Sequence, residues 1–572
     1  MQRVPLRVLA VLAALAMSAA ACGSDSDDES GASGSEADVA AESEEAATDD
    51  GDDASSEAPA DDDDGSGEGQ RLIVGAQFLD DFVSRSVVGF DNPPAYSSIL
   101  SQFVFDGLLE LDPTQGYLPI PDLAESFEVS DDGLVYTFVL RDDVTWHDGE
   151  PFTSDDVVFT LTAALDPANQ ARTAADLAAV SSVTAPDEFT VVVELSRPFA
   201  PILQSLSLPI HPEHLLGAEL AAGTPPGETE YAAAPVGTGP YVWTEYRPGE
   251  QLLLDANPAY HKGAPSISEA VLVDVADYDV AAARLAAGEI DLAEVSGAQL
   301  GLVDGLDGYA VNTVPSTNVF AISLNVADPL LEDPRVRIAL NNLVDRQALV
   351  DLLEAGLGEP ALSPLVNTSV EIETSVSLAT DVEAGTALLE EAGWVKDGDT
   401  WTVDGEPVSL RLDDGFAPQM AEVVASSLRD QGIDVTLSTG DYADIFGQLF
   451  ADPSGFQLFT YSFGAPTDPD SIYILFHSQA TLANGGFNAF AYGNDDVDAA
   501  LDRARDETDV AARAEAYADF QEAAAADPAY ILLHTAPVHM VVSDALDQWD
   551  PGLVEYQLVR FMYWNVEEWT KS

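Results

Sequence analysis

Residues 136–161 read YTFVLRDDVTWHDGEPFTSDDVVFTL, a strand-like run followed by an acid-rich turn. Tyr136, Phe138 and Leu140 alternate with other residues, which predicts a strand with one buried face. A glycine turn follows, and Thr153 with Asp156 three residues later has the capping-box pattern that opens a helix. This stretch therefore predicts a strand, a turn and a helix.

The same stretch places His147 among several acids, which raises the question of catalysis or metal binding. His147 has no second histidine at the spacing of a metal site. The chain also lacks the G-x-S-x-G, H-E-x-x-H and P-loop motifs. We therefore interpret the stretch as scaffold, and we expect no catalytic residue, no resident metal ion and no cofactor.

The N-terminus has the pattern of an export signal. Arg3 and Arg7 precede an apolar run, residues 8–21, which is too short for a bilayer span but suits a signal peptide. The small residues before Cys22, the only cysteine, resemble a bacterial lipobox, and this resemblance implies that Cys22 is lipidated. A secreted protein cleaved after Ala21 remains the alternative.

Residues 22–70 are predicted to form a linker behind Cys22. From residue 23 to residue 70 the chain has 19 acidic residues and no lysine or arginine. Low hydrophobicity with a high like charge predicts disorder. The net charge of the whole chain is −80, which argues against nucleic acid as a partner.

The remaining chain predicts an α/β fold with more than one sheet. Residues 71–78 and 189–198 have strand patterns, whereas residues 333–356 and 418–430 have helical spacing of apolar residues. Helical and strand patterns alternate along the chain, as in α/β proteins. Gly237 and Gly239 are predicted to form a tight turn that needs positive φ.

Several stretches together resemble one protein family. Residues 136–161 resemble a signature of the family 5 extracellular solute-binding proteins of bacterial ABC importers, the oligopeptide, dipeptide and nickel-binding group. Further stretches resemble other parts of that family and occur in the same order, namely residues 234–267, 283–295, 320–350, 387–394, 466–478 and 512–534. The resemblance covers about residues 72–565.

The resemblance implies a two-lobed periplasmic-binding-protein-like α/β fold, class II type, with an extra subdomain in the N-terminal lobe. Residues 71–318 are expected to form lobe I and residues 319–535 lobe II, and residues 536–572 are expected to return to lobe I. The chain is expected to cross between the lobes near 314–324 and 532–541, where apolar, strand-like residues occur.

The resemblance also implies that a ligand lies between the lobes. Aromatic walls with few charges suit a neutral or weakly charged solute. The predicted ligand-binding residues are Gln77, Phe78, Tyr96, Asp413, Tyr461, Phe463, Gly464, Ala465 and Asn488.

Ala465 departs from the pattern of peptide-binding relatives, which often carry an aspartate three residues before Asp468-Pro469-Asp470. That aspartate pairs with the amino group of the ligand, and an unpaired buried ammonium is costly. Peptide binding would therefore need another acid, for which Asp413 and Asp414 are candidates, although both also suit a solvated loop.

The function that the resemblance implies is that of an ABC transporter substrate-binding lipoprotein. It would capture a small solute, peptide-like or otherwise oligomeric or neutral, and deliver it to a permease with its ATPase subunits, without catalysis. We expect a monomer held by its lipid at the outer face of the cell membrane, or in the periplasm. A nickel-chelate or oligosaccharide receptor of the same family, and a secreted hydrolase, remain alternatives.

Overall fold

The computed structural model describes residues 70–77, 79, 102–115, 117–169, 171–464, 468–484, 486–490, 492–550 and 563–572. The predicted signal peptide, Cys22 and the acidic linker lie outside the described residues, as do Phe78, Tyr96 and Ala465. No helix within the described ranges is long and apolar enough to cross a membrane.

Residues 136–161 form the strand, turn and helix that their pattern predicts. A four-stranded antiparallel sheet contains β4 (Ala124–Val129), β5 (Val135–Leu140), β6 (Val180–Asp187) and β7 (Thr190–Leu195), in the order β4-β5-β7-β6. Helix α1 (Ser154–Leu165) follows, with Thr153 as N-cap and both hydrogen bonds of the capping box present. The buried Asp156 also accepts a hydrogen bond from the indole of Trp146 at 3.3 Å.

Sheet I is the larger of the two main sheets. It contains β1 (Arg71–Gln77), β8 (Tyr241–Arg247), β9 (Gln251–Ala256), β10 (Glu269–Val275), β11 (Leu292–Val295), β12 (Tyr309–Val314) and β22 (Val538–Ser543), in the order β12-β22-β11-β1-β10-β9-β8. Strand β1 runs parallel to both β10 and β11, and the other pairings are antiparallel. Helices α5 (Tyr278–Ala286) and α6 (Leu300–Val303) pack on one face.

Sheet II has six strands. They are β13 (Asn318–Leu324), β14 (Glu359–Pro360), β18 (Ser409–Asp414), β19 (Asp434–Thr439), β20 (Leu458–Gly464) and β21 (Tyr530–Thr535), in the order β14-β21-β13-β20-β18-β19. Strand β18 runs parallel to β19 and β20, whereas β13 is antiparallel to β20 and β21.

Helices cover both faces of sheet II. One face packs against α7 (Pro334–Leu343), α8 (Arg346–Leu353), α9 (Val382–Glu391) and α10 (Pro418–Asp430). The other face packs against α11 (Tyr442–Ala451), α12 (Tyr473–Phe476), α13 (Asp495–Asp506) and α14 (Val510–Ala526). A sheet covered on both faces has apolar residues on both sides, as in the continuous buried strand β21.

The chain passes between the two sheets through two short connections. Strand β12 of sheet I ends at Val314 and β13 of sheet II begins at Asn318. The return runs from Thr535 at the end of β21 to Val538 at the start of β22. Both connections lie within the stretches that the sequence predicts to cross.

The remaining elements are short. Strands β2 (Leu109–Asp112) and β3 (Leu118–Pro121) form a hairpin, β15 (Val395–Asp397), β16 (Thr400–Val403) and β17 (Glu406–Pro407) form a small sheet, and β23 (Leu546–Asp547) pairs with β24 (Thr570–Lys571). Helices α2 (Ile202–Ser205), α3 (Glu213–Ala221) and α4 (Glu230–Ala233) lie between β7 and β8.

The predicted reason for Gly237 and Gly239 is wrong. Neither residue has the positive φ that distinguishes the left-handed glycines of this chain. A Cβ atom on Gly237 would lie 1.7 Å from the carbonyl oxygen of Val104, and one on Gly239 would lie 2.6 Å from the carbonyl carbon of Val104. Close approach of a distant backbone segment, rather than turn geometry, excludes a side chain here.

Candidate functional site

Sheet I presents the C-terminal ends of its parallel strands to the connections between the sheets. Gln77 at the end of β1 pairs with Val275 at the end of β10. Val295 at the end of β11 pairs with His539, the second residue of β22 after the return connection. In open α/β sheets ligands bind beyond the C-terminal ends of strands, so this edge is a candidate binding wall.

Gln77 contributes an amide to this edge. Its side chain is partly exposed, yet its Nε2 atom is buried and has no hydrogen-bond partner in the described part of the chain. Buried donors in proteins nearly always have an acceptor. The predicted ligand residue Gln77 therefore carries a donor that no described residue satisfies.

A carboxyl group lies on β11, the strand that pairs with β22 just after the return connection. Glu294 of β11 accepts a hydrogen bond from the hydroxyl of Tyr278 at 3.1 Å, and Tyr278 is the first residue of α5. The residue Glu294 as a whole is partly exposed. Burial of its carboxyl group raises the pKa of that group to about 7. The carboxyl group therefore lies among protein atoms, although the residue as a whole is partly exposed.

Strand ends of sheet II also adjoin the connections between the sheets. Gly464, the last residue of β20, pairs with Asn318, the first residue of β13 after the crossing from sheet I. The carbonyl of Gly464 accepts a hydrogen bond from the Ser471 hydroxyl at 3.2 Å. This predicted ligand residue therefore lies at the edge of sheet II that adjoins the crossing.

The aromatic residues Tyr461 and Phe463 differ in their surroundings. Phe463 is buried, with ring centroids 5.1 Å from Tyr530 and 6.0 Å from Phe476, so it belongs to the core. Tyr461 keeps partial exposure while burial raises its pKa, and its ring stacks on that of Phe446 at 6.4 Å. Of the two, Tyr461 retains the access that a ligand contact needs.

Asp413 and Asp414 have partners within the protein. Asp413 is 1% exposed and forms an ion pair with Arg411, although its Oδ2 atom lacks a hydrogen-bond partner among the described residues. Asp414 accepts hydrogen bonds at 2.8 Å from the Thr460 hydroxyl and from the backbone N–H of Ala417, just before α10. Asp414 therefore has a structural role.

Asp413 is also set back from the edge that carries Gly464. It is in register with Phe459, five residues before Gly464, so the two positions are about 16 Å apart along the strand direction. A role for Asp413 in ligand binding stays a prediction.

Asn488 holds a loop together. Its amide donates to the carbonyls of His477 at 3.1 Å and Tyr492 at 2.7 Å, and its oxygen accepts from the N–H of Tyr492 at 2.9 Å. The side chain is 4% exposed. These bonds account for the conformation of the loop, and ligand contact by Asn488 stays a prediction.

The segment after residue 467 is fixed by two arginines. Asp468 accepts hydrogen bonds from Arg513 of α14 at 2.6 and 2.7 Å. Asp470 accepts from Arg505 of α13 at 2.7 and 2.8 Å. Two bidentate pairs of this kind restrain a backbone segment strongly, so the position of the chain beyond Gly464 depends on α13 and α14.

Metal-site chemistry is not evident in this region. Among the described residues, no group of three or more His, Cys, Asp or Glu side chains is arranged to hold a metal ion. His147, which the sequence places among acids, contacts the Gly239 carbonyl at 3.0 Å and the Gly237 N–H at 3.2 Å. These bonds give His147 a structural role between β5 and β8.

Comparison with known proteins identifies the family. Residues 119–484 match the family described as bacterial extracellular solute-binding proteins, family 5 Middle. The chain belongs to this family. Its predicted membership is thereby confirmed, and the match covers the strands and helices from β3 to the loop that Asn488 closes.

The matches to relatives of this solute-binding protein span most of the length of each relative. It is 35% identical over 455 residues to Protein XP55 of Streptomyces lividans, which covers 78% of this chain and 81% of the relative. It is 26% identical over 459 residues to the oligopeptide-binding protein AppA of Bacillus subtilis (strain 168), with 78% and 82% covered. The crystal structure of NikZ from Campylobacter jejuni in complex with Ni(L-His) superimposes with a TM-score of 0.73 at 26% identity, over 88% of this chain and 99% of that chain.

These similarities confirm two predictions and leave the site open. The two-lobed α/β fold class and the function of a solute-binding protein of an ABC transporter are confirmed. Glu294 and Tyr278 are absent from the residues predicted from sequence. Their only sequence signal is a glutamate near the end of a short strand, and its significance depends on strand pairing that the sequence does not display.

Proposed function

We propose that this family 5 protein binds a peptide-like solute in a cleft between sheet I and sheet II and delivers it to an ABC permease. The observation that carries the proposal is that strand ends of both sheets adjoin the two short connections between the sheets. The edge of sheet I carries Gln77 and Glu294, and the edge of sheet II carries Gly464, with Tyr461 three residues before its end.

We take residues 71–318 and 536–572 as lobe I and residues 319–535 as lobe II. The division of the described strands between sheet I and sheet II supports this assignment, and the connections at residues 315–317 and 536–537 would act as hinges. A solute that contacts both lobes favours the closed state by its differential affinity for that state. Release to the permease then requires no chemical change in the solute.

The peptide-like character of the solute is supported by a relative. AppA of Bacillus subtilis is an oligopeptide-binding protein. Polar groups with unsatisfied capacity, Gln77 Nε2 in particular, suit the amide groups of a peptide. We propose Tyr461 and Gly464 as further contacts, and contacts by Phe78, Tyr96, Ala465, Asp413 and Asn488 stay predictions, whereas Phe463 belongs to the core.

A nickel chelate is the second candidate, since NikZ was crystallised with Ni(L-His) at 26% identity to this chain. The described residues contain no cluster with metal-binding geometry, so such a complex would have to be held through its organic ligand. An oligosaccharide fits the same polar edges without a charge requirement.

The location follows from the N-terminus. We infer that Cys22 carries a lipid and that the protein acts as a monomer on the outer face of the cell membrane. The permease and its ATPase subunits are its partners. No catalytic role is assigned to any residue.

A solute screen tests the proposal directly. The purified protein is mixed with pools of two- to six-residue peptides, with nickel and histidine, and with oligosaccharides, and unfolding temperature is measured for each. We expect stabilisation by peptides and recovery of the peptides unaltered by mass spectrometry. Stabilisation by sugars alone, or chemical conversion of the bound compound, would contradict the proposal.

A further inference from the structure

Glu294 occupies a defined place at the edge of sheet I. Strands β1 and β11 are paired in parallel with Gly75 opposite Ala293, and continuing this register places Glu294 beside Ala76, one residue before Gln77. On the other side Glu294 pairs with Met540 of β22. The carboxylate therefore lies next to the end of β1 and near the return connection.

The side chain of Glu294 points to an apolar face of sheet I. Successive residues of a strand face opposite sides, and Leu292 belongs to the same buried cluster as Met540 and Leu72. Ala293 and Val295 belong instead to the cluster under α5. Glu294 is thus a carboxyl group on the face where its strand neighbours are apolar.

The groups around Glu294 do not compensate its charge. Its hydrogen bond comes from the neutral hydroxyl of Tyr278 on α5, and the nearby ionisable group on the C-terminal segment is the buried Tyr563. No lysine, arginine or histidine among the described residues contributes to the pKa of Glu294. An unpaired carboxylate in such surroundings is costly.

Three other deeply placed carboxylates of this chain have cations. Asp122 pairs with Lys262 at 2.9 Å, Asp291 with Lys571 at 2.7 Å, and Asp470 with Arg505 at 2.7 Å. The chain has only 21 lysines and arginines against 101 acids. Cations are scarce in this chain, yet they are placed at these three carboxylates, whereas the partly exposed residue Glu294 has none within the described ranges.

We propose that Glu294 binds the positively charged nitrogen of the solute, a protonated amine or a guanidinium, with Tyr278 orienting the carboxylate. This inference rests on the proposed function and specifies the solute class: the solute carries at least one cationic nitrogen. Gln77 then offers its amide N–H to an acceptor on the same molecule.

The binding of a cation by Glu294 makes affinity depend on pH. The carboxyl group must be ionised to attract the cation, and burial raises its pKa to about 7 in the free protein. Affinity for an amine should fall as pH is lowered through this range, because protons compete with the cation. The groups that face Glu294 are Tyr278 and Tyr563, and burial raises the pKa of Tyr563 further above its usual value, so Tyr563 stays neutral in this range.

Paired peptide pools test the proposal on the full chain. One pool holds tri- to pentapeptides without lysine or arginine, and the other holds the same peptides N-acetylated. Retained peptides are identified by mass spectrometry, and the best one is synthesised free and acetylated for calorimetry. Wild type, Glu294→Gln, Glu294→Asp and the control Glu289→Gln, an exposed carboxyl on the preceding turn, are compared.

We expect wild type and Glu289→Gln to bind the free peptide more tightly than the acetylated one by about tenfold or more. Glu294→Gln should lose this preference, and Glu294→Asp should retain part of it. A preference that survives in Glu294→Gln, or is absent in wild type that binds both forms, overturns the role of Glu294 while the proposed function stands. Retention of no peptide from either pool overturns both.

A measurement on the wild type avoids the risk that a variant does not fold. Between pH 7.5 and pH 5.5 the preference for the free over the acetylated peptide should decline, because Glu294 becomes protonated. Lysine and arginine peptides, acetylated at the N-terminus, then show whether a side-chain cation replaces the amino group. A preference that is constant across this pH range overturns the proposal.

Discussion

The carboxylate of Asp470 accepts two hydrogen bonds from the guanidinium of Arg505, at 2.7 and 2.8 Å. Arg505 also lies 3.3 Å above the centre of the Tyr473 ring. Its backbone carbonyl accepts a hydrogen bond at 2.8 Å from the N–H of Ala200, in the loop after β7. Arg505 of α13 therefore joins the segment that begins at Asp468 to the loop after β7.

Replacing Arg505 with lysine should destabilise the protein and weaken solute binding. Lysine keeps the charge but loses the bidentate geometry and the stacking on Tyr473. Both side chains of the pair are largely buried, with 17% and 13% exposed, so we expect a loss of about 2 kcal/mol in unfolding free energy. Urea unfolding and solute titration measure the two effects.

Arg503→Lys is the matched control for Arg505→Lys. Arg503 lies on the same helix and pairs with Asp519, but these side chains are 50% and 67% exposed. Exposed ion pairs contribute little, so the change should stay within about 0.5 kcal/mol. Equal losses of unfolding free energy in the two variants would show that the loss comes from changing an arginine on this helix and not from breaking the buried pair.

Gly237→Ala should be severely destabilising. The added methyl group would meet the carbonyl oxygen of Val104 at 1.7 Å, and a backbone atom cannot move aside as a flexible side chain does. A methyl group on Gly301 of α6 would meet no atom within 4 Å, and Gly301 has no positive φ, so Gly301→Ala should be neutral or stabilising by up to about 1 kcal/mol. Thermal unfolding of both variants distinguishes the two cases.

Thr153→Ala should lower stability without changing solute affinity. The Thr153 side chain caps α1, and loss of such a cap costs about 1 kcal/mol. Asp156→Ala should cost more, because Asp156 also accepts hydrogen bonds from Trp146 and from the N–H of Glu213. An altered affinity in folded Thr153→Ala would mean that residues 144–158 take part in binding after all.

Stability should increase when the pH is lowered from 8 to 6.5. Burial raises the pKa of Glu110, Glu294 and Glu567 to about 7, above the value of about 4.3 for an unfolded glutamate. The folded state then binds more protons than the unfolded state in this window, so acidification favours folding. Each group contributes about 0.8 kcal/mol over this range, or about 2 kcal/mol together.

Denaturant unfolding at both pH values measures this dependence. The triple variant Glu110→Gln, Glu294→Gln and Glu567→Gln should remove most of it. Below pH 6.5 the trend should weaken, because burial lowers the pKa of His211 to about 3 and the unfolded state takes up that proton instead. A wild-type protein more stable at pH 8 than at pH 6.5 would contradict the assignment.

Local patterns were sufficient for much of the fold. Three of these patterns are local: the alternation in β5, the capping box of Thr153 and Asp156, and the helical spacing in α7 and α8. Each depends on residues that are only a few positions apart in the sequence. Ordered family-like stretches then indicated two lobes and solute binding. The ligand-binding residues were harder to predict from sequence. Asn488 and Asp414 are polar, but their hydrogen bonds support a loop and the start of a helix.

The sequence by itself therefore determined the α/β class, the family and the signature strand, turn and helix, because these depend on periodicity and on caps between near neighbours. Three relationships depend on tertiary structure: a side chain on Gly237 would collide with Val104, Arg505 contacts both Asp470 and the loop after β7, and Glu294 lies beside the end of β1 with no cation from the described residues. Each of these relationships joins residues far apart in the chain, and strand pairing and burial, which no local pattern encodes, bring them together.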